Sequence, residues 1–188
     1  MRIIGGMAGS IPLAVPPDMA VRPTAERARE ALFNSLGDLA GLVVWDLYAG
    51  SGALGLEALS RGARFVGFIE KEAKHCDFIE KNLAKVSTAV RNAAANIVNA
   101  PVTAANFPAP APDLVLADPP YAESAAEFKL LLGMSRFRDW TKNARLVWEV
   151  PDTSGALGEF LLAAPKPRTV RRFGGADFII INFQELFR

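Results

Sequence analysis

Two loops carry residue types whose spacing points to chemistry. In the first, Asp46-Leu47-Tyr48-Ala49-Gly50-Ser51-Gly52-Ala53-Leu54-Gly55 follows a β-type run, Leu42 to Trp45, and leads into helix formers through Arg61. The glycines permit a tight strand-to-helix turn, let a ligand approach the backbone, and open a helix with its N-terminal amides exposed. By itself a Gly-x-Gly-x-x-Gly spacing fits a dinucleotide site or a bare tight turn. Asp46 shifts the balance, because a carboxylate under the loop repels a pyrophosphate and attracts an ammonium or a sulfonium. S-adenosylmethionine carries both. Glu70 ends the next β-type run and can accept hydrogen bonds from two ribose hydroxyls. The competing roles are a helix cap for Asp46 and a solvated strand end for Glu70.

The second loop is Asp118-Pro119-Pro120-Tyr121, which closes the apolar run Leu114-Val115-Leu116-Ala117. Two prolines have fixed φ and no backbone N–H, so the loop is stiff and its carbonyls are left to accept. Asp118 and the carbonyl of Pro119 suit the two hydrogens of an exocyclic amine, and Tyr121 suits stacking on a planar base. An aryl amine is a poor nucleophile because its lone pair is delocalised, so holding both N–H bonds and aiming the nitrogen supplies most of the catalysis. The bland alternative is an ordinary Asp-Pro turn.

These loops need a scaffold that presents strand ends side by side. From Leu42 onward β-type runs alternate with helix-type stretches, which predicts a parallel sheet covered by helices. The strand candidates are Leu42–Trp45, Phe65–Ile69, Ile97–Val98, Leu114–Leu116 and Leu146–Val150. Thr169–Phe173 and Phe178–Phe183, separated by Gly174-Gly175, read as an antiparallel hairpin. Lys71–Val86 is the clearest helix, with Cys76, Ile79, Leu83 and Val86 on one face and Asp77 pairing with Lys81. An earlier helix has Pro23 near its start, Thr24 as N-cap, and Ala28, Leu32, Leu36 and Leu39 on one face. The expectation is a single α/β domain over residues 1–188, helices on both faces, with residues 1–20 a short extension that can form a hairpin. Both loops then lie at the carboxyl ends of parallel strands, where open α/β sheets bind ligands.

Composition narrows the classes. The 188 residues are 51% hydrophobic and 22% charged, with a net charge of +1, so no global basic field marks a polyanion partner. One cysteine, Cys76, excludes intramolecular disulfides and cysteine-rich zinc sites, which points to a reducing, cytoplasmic setting. Ile3–Pro17 is uncharged but broken by glycines and Pro12, and Asn92–Pro112 is uncharged but rich in Asn and Pro. Neither reads as an export signal or a membrane span. No metal constellation accompanies the one histidine, His75, which reads as a surface helix residue. Cys76, Trp45, Trp140 and Trp148 read as packing residues.

Taken together, the chain resembles a class I S-adenosylmethionine-dependent methyltransferase, and more narrowly the bacterial 16S rRNA guanine-N2 methyltransferase family of RsmD type. The resemblance rests on Met1-Arg2-Ile3-Ile4-Gly5-Gly6, Arg22-Pro23-Thr24, Arg27-x-Arg29-Glu30-Ala31-Leu32-Phe33-Asn34, the loop from Asp46 through Gly62, and Asp118-Pro119-Pro120-Tyr121. It implies a Rossmann-like, mostly parallel seven-stranded sheet with an antiparallel last strand, and methyl transfer to guanine N2 of 16S rRNA with the base held out of its helix. It also implies a cofactor site of Asp46, Ala49, Gly50, Ser51, Gly52, Glu70 and Lys71. Asp118, Pro119, Pro120 and Tyr121 would hold the guanine, while Arg22, Thr24 and Arg27 would contact cofactor carboxylate or RNA. The chain departs from the family pattern twice. Met7-Ala8-Gly9-Ser10-Ile11-Pro12 replaces the usual basic residues, and Ala100-Pro101 stands where an Asp or Asn meets the adenine amine, leaving Asn99 and the Val102 backbone as substitutes.

Two basic clusters offset the neutral total: Lys166, Arg168, Arg171 and Arg172, and Arg136, Arg138, Lys142 and Arg145. Each would contact phosphates if it faced the cleft, and would otherwise be a solvated face. The leading expectation is a monomeric, metal-free enzyme acting on 16S rRNA or an assembling small subunit. Rivals are a DNA adenine-N6 or protein glutamine-N5 methyltransferase, and a non-catalytic RNA- or ribosome-binding relative. Asp46 disfavours an NAD-dependent dehydrogenase.

Overall fold

The computed structural model describes residues 1–19, 23–151, 155–173 and 176–186, and the side chains at 23–25 and 186 lie outside that description. Its seven strands are β1 (Val43–Leu47), β2 (Phe65–Glu70), β3 (Ala95–Asn99), β4 (Leu114–Ala117), β5 (Arg145–Val150), β6 (Arg168–Phe173) and β7 (Ala176–Asn182). They form one sheet in the order β3-β2-β1-β4-β5-β7-β6. β1 to β5 pair in parallel, and β7 runs antiparallel between β5 and β6. The expected mostly parallel sheet with a reversed last strand is therefore present. Among the described residues seven α-helices accompany it: α1 (Pro23–Leu36), α2 (Ala53–Ser60), α3 (Ala73–Val86), α4 (Ser124–Gly133), α5 (Ser135–Thr141), α6 (Ala156–Ala163) and α7 (Phe183–Leu186).

Strand alternation divides the core into two layers. Val44, Val66, Leu114 and Leu116 face Leu32, Leu36, Leu56 and Ile79 of α1, α2 and α3. Trp45, Leu47, Val115 and Trp148 face Phe128, Leu131, Phe137 and Phe160 of α4, α5 and α6. The central strands are buried on both faces, which is why they read as continuous apolar runs. Close packing leaves no room at Gly67, where a Cβ would come within 2.3 to 2.4 Å of the Trp45 ring. Gly67→Ala should cost about 1–3 kcal/mol or more in denaturant unfolding, and parental stability would contradict this packing.

Several expected boundaries move for physical reasons. β1 extends through Leu47, so Asp46 sits inside the strand, flanked by Phe68 and Leu116 in register. α1 begins at Pro23, so Thr24 is within its first turn and is not the N-cap. The helix stops at Leu36 because Gly37 adopts φ 82°, which leaves Leu39 buried but outside the helix. α3 starts at Ala73, and Lys81 lies 5.2 Å from the Phe78 ring centroid, with no Asp77–Lys81 ion pair. The Asn- and Pro-rich segment beyond β3 forms a short 3-10 turn, Val102–Ala104, and is tied down by tryptophans. Trp140 Nε1 donates to Pro108 O and Trp45 Nε1 to Pro110 O, while Phe107 stacks on Trp140 with centroids 4.9 Å apart. Among the described residues no helix is long and apolar enough to cross a membrane.

The N-terminal residues fold back on themselves through an Arg2–Pro12 bridge and an Ile3 N–H to Ile11 O bond of 3.0 Å. This loop packs on α2, where the fully buried carboxylate of Glu57 accepts the N–H groups of Ile4 (2.7 Å) and Gly5 (2.9 Å) and the Nε–H of Arg61 (2.8 Å). The chain then passes α3, where the buried Asn82 exchanges both amide hydrogen bonds with the Ala14 backbone.

Candidate active site

A cleft of about 520 Å³ opens at the C-terminal ends of β1, β2 and β4, straddling the point where the strand order reverses between β1 and β4. This is where open parallel sheets leave a crevice for ligands. The glycine loop forms its floor. Tyr48, Gly50 and Gly52 adopt φ of 59°, 56° and 78°, turning the chain sharply from β1 into α2. Gly55 is close to the sheet, its absent Cβ lying 2.4 Å from Phe68, so this third glycine serves helix–strand packing.

The two carboxylates read from the sequence are placed differently. Asp46 is buried beneath the loop, and its Oδ2 accepts the Gly55 N–H at 2.8 Å. Burial pushes its pKa well above the usual carboxylate range, opposed by the Gly55 hydrogen bond and reinforced by the charges of Asp118 and Glu70. Asp46 thus caps α2 from within the strand and lies under the cleft rather than in its wall. Glu70 is in the wall. Its Oε2 accepts the Gly50 N–H at 2.7 Å and its Oε1 the Glu72 N–H at 2.8 Å, which fixes the carboxylate against the loop. A carboxylate has about four acceptor sites, so capacity for two hydroxyls remains.

Asp118, Pro119, Pro120 and Tyr121 form the facing wall, with Asp118 exposed and Pro119 buried. Tyr48 lies behind them. Its hydroxyl donates to Glu127 Oε2 at 2.7 Å and its ring meets Trp148 edge-on. Burial and then the Glu127 carboxylate push the Tyr48 phenol above its ordinary range. Lys71 lies at the rim, 3.9 Å from Glu123. The wall therefore carries Glu70, Glu72, Asp118, Glu123 and Glu127 against Lys71 and His75, a field that suits a cationic ligand better than a pyrophosphate.

The other expected site residues scatter. Ala49, Ser51 and Gly52 build the floor behind Gly50: the Ala49 N–H donates to Ile69 O, and Ser51 O accepts from Asn82. Asn99 gives both amide hydrogens to the carbonyls of Glu70 (3.0 Å) and Lys71 (2.9 Å), while Pro101, Val102 and Thr103 reach the cleft instead. Arg27 is an exposed residue of α1 outside the lining, Thr24 lies in α1 with its side chain outside the description, and Arg22 lies outside the described residues. Among the described residues no group of three His, Cys, Asp or Glu side chains is arranged to hold a metal.

The sequence reading missed two contributors. His75, expected on the surface, is in the cleft wall with its side chain 12% exposed. Its Nε2 is 3.2 Å from Asp18 and its Nδ1 is 3.6 Å from Glu70. The signal was its position in the first turn of the helix after Glu70, which necessarily faces the crevice. Met19 covers Gly50, where a Cβ would be 2.6 Å from its methyl carbon. This strap is held by Asp18, whose hydrogen bonds to Lys74 and then His75 lower its pKa from 3.8 to about 2. A depressed carboxylate stabilises above its unfolded pKa, and that hold is lost as pH falls from 3.8 toward 2. NMR titration of the Asp18 carboxyl should give a midpoint of about 2, and Lys74→Met should return it toward 3.8. An unmoved midpoint would place the hold elsewhere.

Comparison with known proteins extends over the same loops. The family described as Conserved hypothetical protein 95 matches residues 1–157. Ribosomal RNA small subunit methyltransferase D of Escherichia coli K12 is 39% identical over 128 residues, 68% of this chain and 63% of that protein. The protein of the same name from Haemophilus influenzae is 30% identical over 155 residues, 79% of this chain and 77% of its own length. The solved structure of yhhF from Escherichia coli superposes with a TM-score of 0.67 at 28% identity and covers 96% of each chain. A match running from the N-terminal loop through both walls of the cleft shows that the chain belongs to the Conserved hypothetical protein 95 family, the RsmD-type class I methyltransferases.

Proposed function

We propose that the chain is an S-adenosylmethionine-dependent methyltransferase acting on the exocyclic N2 amine of a guanine in 16S rRNA, free or in an assembling small subunit. The observation that carries this reading is the meeting of Glu70 and Gly50 with Asp118-Pro119-Pro120-Tyr121 across one acidic cleft. The residues fit the cofactor. Gly50 offers backbone without a side chain, Glu70 offers ribose acceptors, Pro101 and Val102 offer an apolar edge for a base, and the acidic wall favours a cation. When bound, S-adenosylmethionine supplies an electrophilic methyl group on its sulfonium.

The chain's own residues do the rest. Asp118 and the Pro119 carbonyl accept the two amine hydrogens and aim the nitrogen lone pair into the cleft, and Tyr121 stacks on the base. Asp118 is also the acceptor for the proton that the amine must shed. The reading brings with it a cytoplasmic, monomeric enzyme whose relatives include proteins named for small-subunit rRNA methylation. Incubation with methyl-labelled cofactor and 30S subunits, naked 16S rRNA, DNA or release factors tests it. Label in guanine N2 of rRNA is expected. Label confined to DNA or protein would overturn the acceptor, and no calorimetric heat at millimolar cofactor would overturn the enzyme.

A further inference from the structure

None of the eight basic residues lines the cleft, yet Arg145 of the second cluster shares a pocket with Arg171 of the first. At the other end of the sheet, Arg145 begins β5, Arg168 begins β6 and Asn182 ends β7, and a pocket of about 260 Å³ forms there, closed by Ser35 of α1 and Thr169. Arg145, Thr169 and Arg171 stand on the α1 face of strands separated by β7, so only the folded sheet brings them together, whereas the Arg168 side chain points to the opposite face, toward α6.

The charges in this pocket are not paired off. The half-buried Arg145 donates to Leu36 O at 3.0 Å, using part of a five-donor guanidinium. Among the described residues none of Arg145, Arg168 and Arg171 has a carboxylate partner, and Arg171 is exposed without a hydrogen bond. Burial alone pushes the Arg145 guanidinium below its usual range, with no carboxylate counteracting it. The one acid in the lining, Glu185, accepts from Asn182 at 2.8 Å. Edge strands are commonly kept soluble by charge, but that needs dispersed exposed charges and gives no reason to half-bury a guanidinium without a carboxylate.

We infer that this pocket binds a backbone phosphodiester of the RNA substrate, in a segment separate from the base that enters the cleft. The inference rests on the RNA reading above. The Arg145 and Arg171 guanidinium groups lining one concavity suit phosphate oxygens, with Ser35 and Thr169 hydroxyls as further donors. The chain climbs from Leu114 at the pocket end of β4 to Asp118 just past its cleft end, about 13 Å along the strand direction, so one nucleotide does not fill both sites. A phosphate contact here positions a folded RNA without reading its sequence.

The test is fluorescence anisotropy of the full chain with a labelled 16S rRNA fragment across a salt series. Thr169→Ala combined with Arg171→Gln should weaken binding about tenfold and flatten the salt slope by about 1, the loss of one phosphate contact. Melting temperature and cofactor heat should be unchanged, and Lys81→Gln with Arg91→Gln should leave the slope as it was. Unchanged affinity and slope in the pocket variant, or no RNA binding by the parent, overturns the inference. Inorganic phosphate that binds the parent, loses binding in the variant and leaves RNA affinity untouched also overturns it, in favour of a free-anion site. RNA binding that depends on the pocket but yields no methylated RNA would defeat the proposed function and leave the pocket standing.

Discussion

Asp118→Ala is expected to reduce methyl transfer about 10³-fold while leaving cofactor affinity within about twofold. The two effects separate because the cofactor's expected contacts lie on the other wall, where the Gly50 N–H donates to Glu70 Oε2 at 2.7 Å in a bond that does not involve Asp118. The variant removes an acceptor for the amine hydrogens at the point where positive charge grows on nitrogen, so the loss should fall on kcat. It also removes one of the negative charges that hold the Asp46 pKa up, a change that leaves the Gly55 cap in place. Asp118→Asn keeps one carbonyl acceptor in the same shape and should retain part of the rate. Calorimetry with S-adenosylmethionine and single-turnover transfer to 30S subunits measure both quantities. Equal loss of affinity and rate would move Asp118 into the cofactor site.

What the sequence made legible is tied to short-range patterns. The buried strands could be read because residues such as Leu114-Val115-Leu116 form apolar runs bounded by Pro112 and the Asp118-Pro119 turn. The glycine loop could be read because three glycines with a flanking acid leave few backbone options. Asp46 shows the limit. Its residue type suggests a ligand contact, and the two-residue extension of β1 through Leu47 places it on the buried α2 face, where it accepts the Gly55 N–H. His75 was misread because its neighbours Lys71 and Lys74 are exposed, while its own direction is set by the turn that follows Glu70. The placing of Arg145 beside Thr169 and Arg171 was illegible, since it depends on β7 inserting between β5 and β6. The N-terminal loop hid its role for the same reason: its partners on α2 lie more than 50 positions away in sequence.

That N-terminal junction carries the largest expected stability effect, from Glu57→Ala. Glu57 is fully buried, and four groups converge on its carboxylate: the Ile4 and Gly5 N–H groups, Arg61 Nε at 2.8 Å, and Arg29 Nε at 4.0 Å. Arg29 is 6% exposed, and its Nε is the one buried side-chain donor among the described residues without a hydrogen-bond acceptor, so Glu57 is its electrostatic counterweight. Removing the carboxylate strands two guanidinium groups and two amide donors. Breaking a buried pair in this way costs about 3–5 kcal/mol, a large part of the 5–15 kcal/mol typical of a whole domain. At this chain length the melting midpoint should fall by about 10 °C. Glu57→Gln keeps the shape and one acceptor but turns an amide toward a donor, and should fall between parent and Ala. Loosening should begin at the loop itself, because Gly6 is held so close to α2 that a Cβ there would sit 2.0 Å from Ser60 O. Limited proteolysis should therefore cleave the first residues of Glu57→Ala before the sheet melts. Cofactor affinity should weaken as well, since the same segment continues to Met19 above Gly50. A loss under about 1 kcal/mol with an uncut N-terminus would mean that solvent, not Glu57, satisfies these donors.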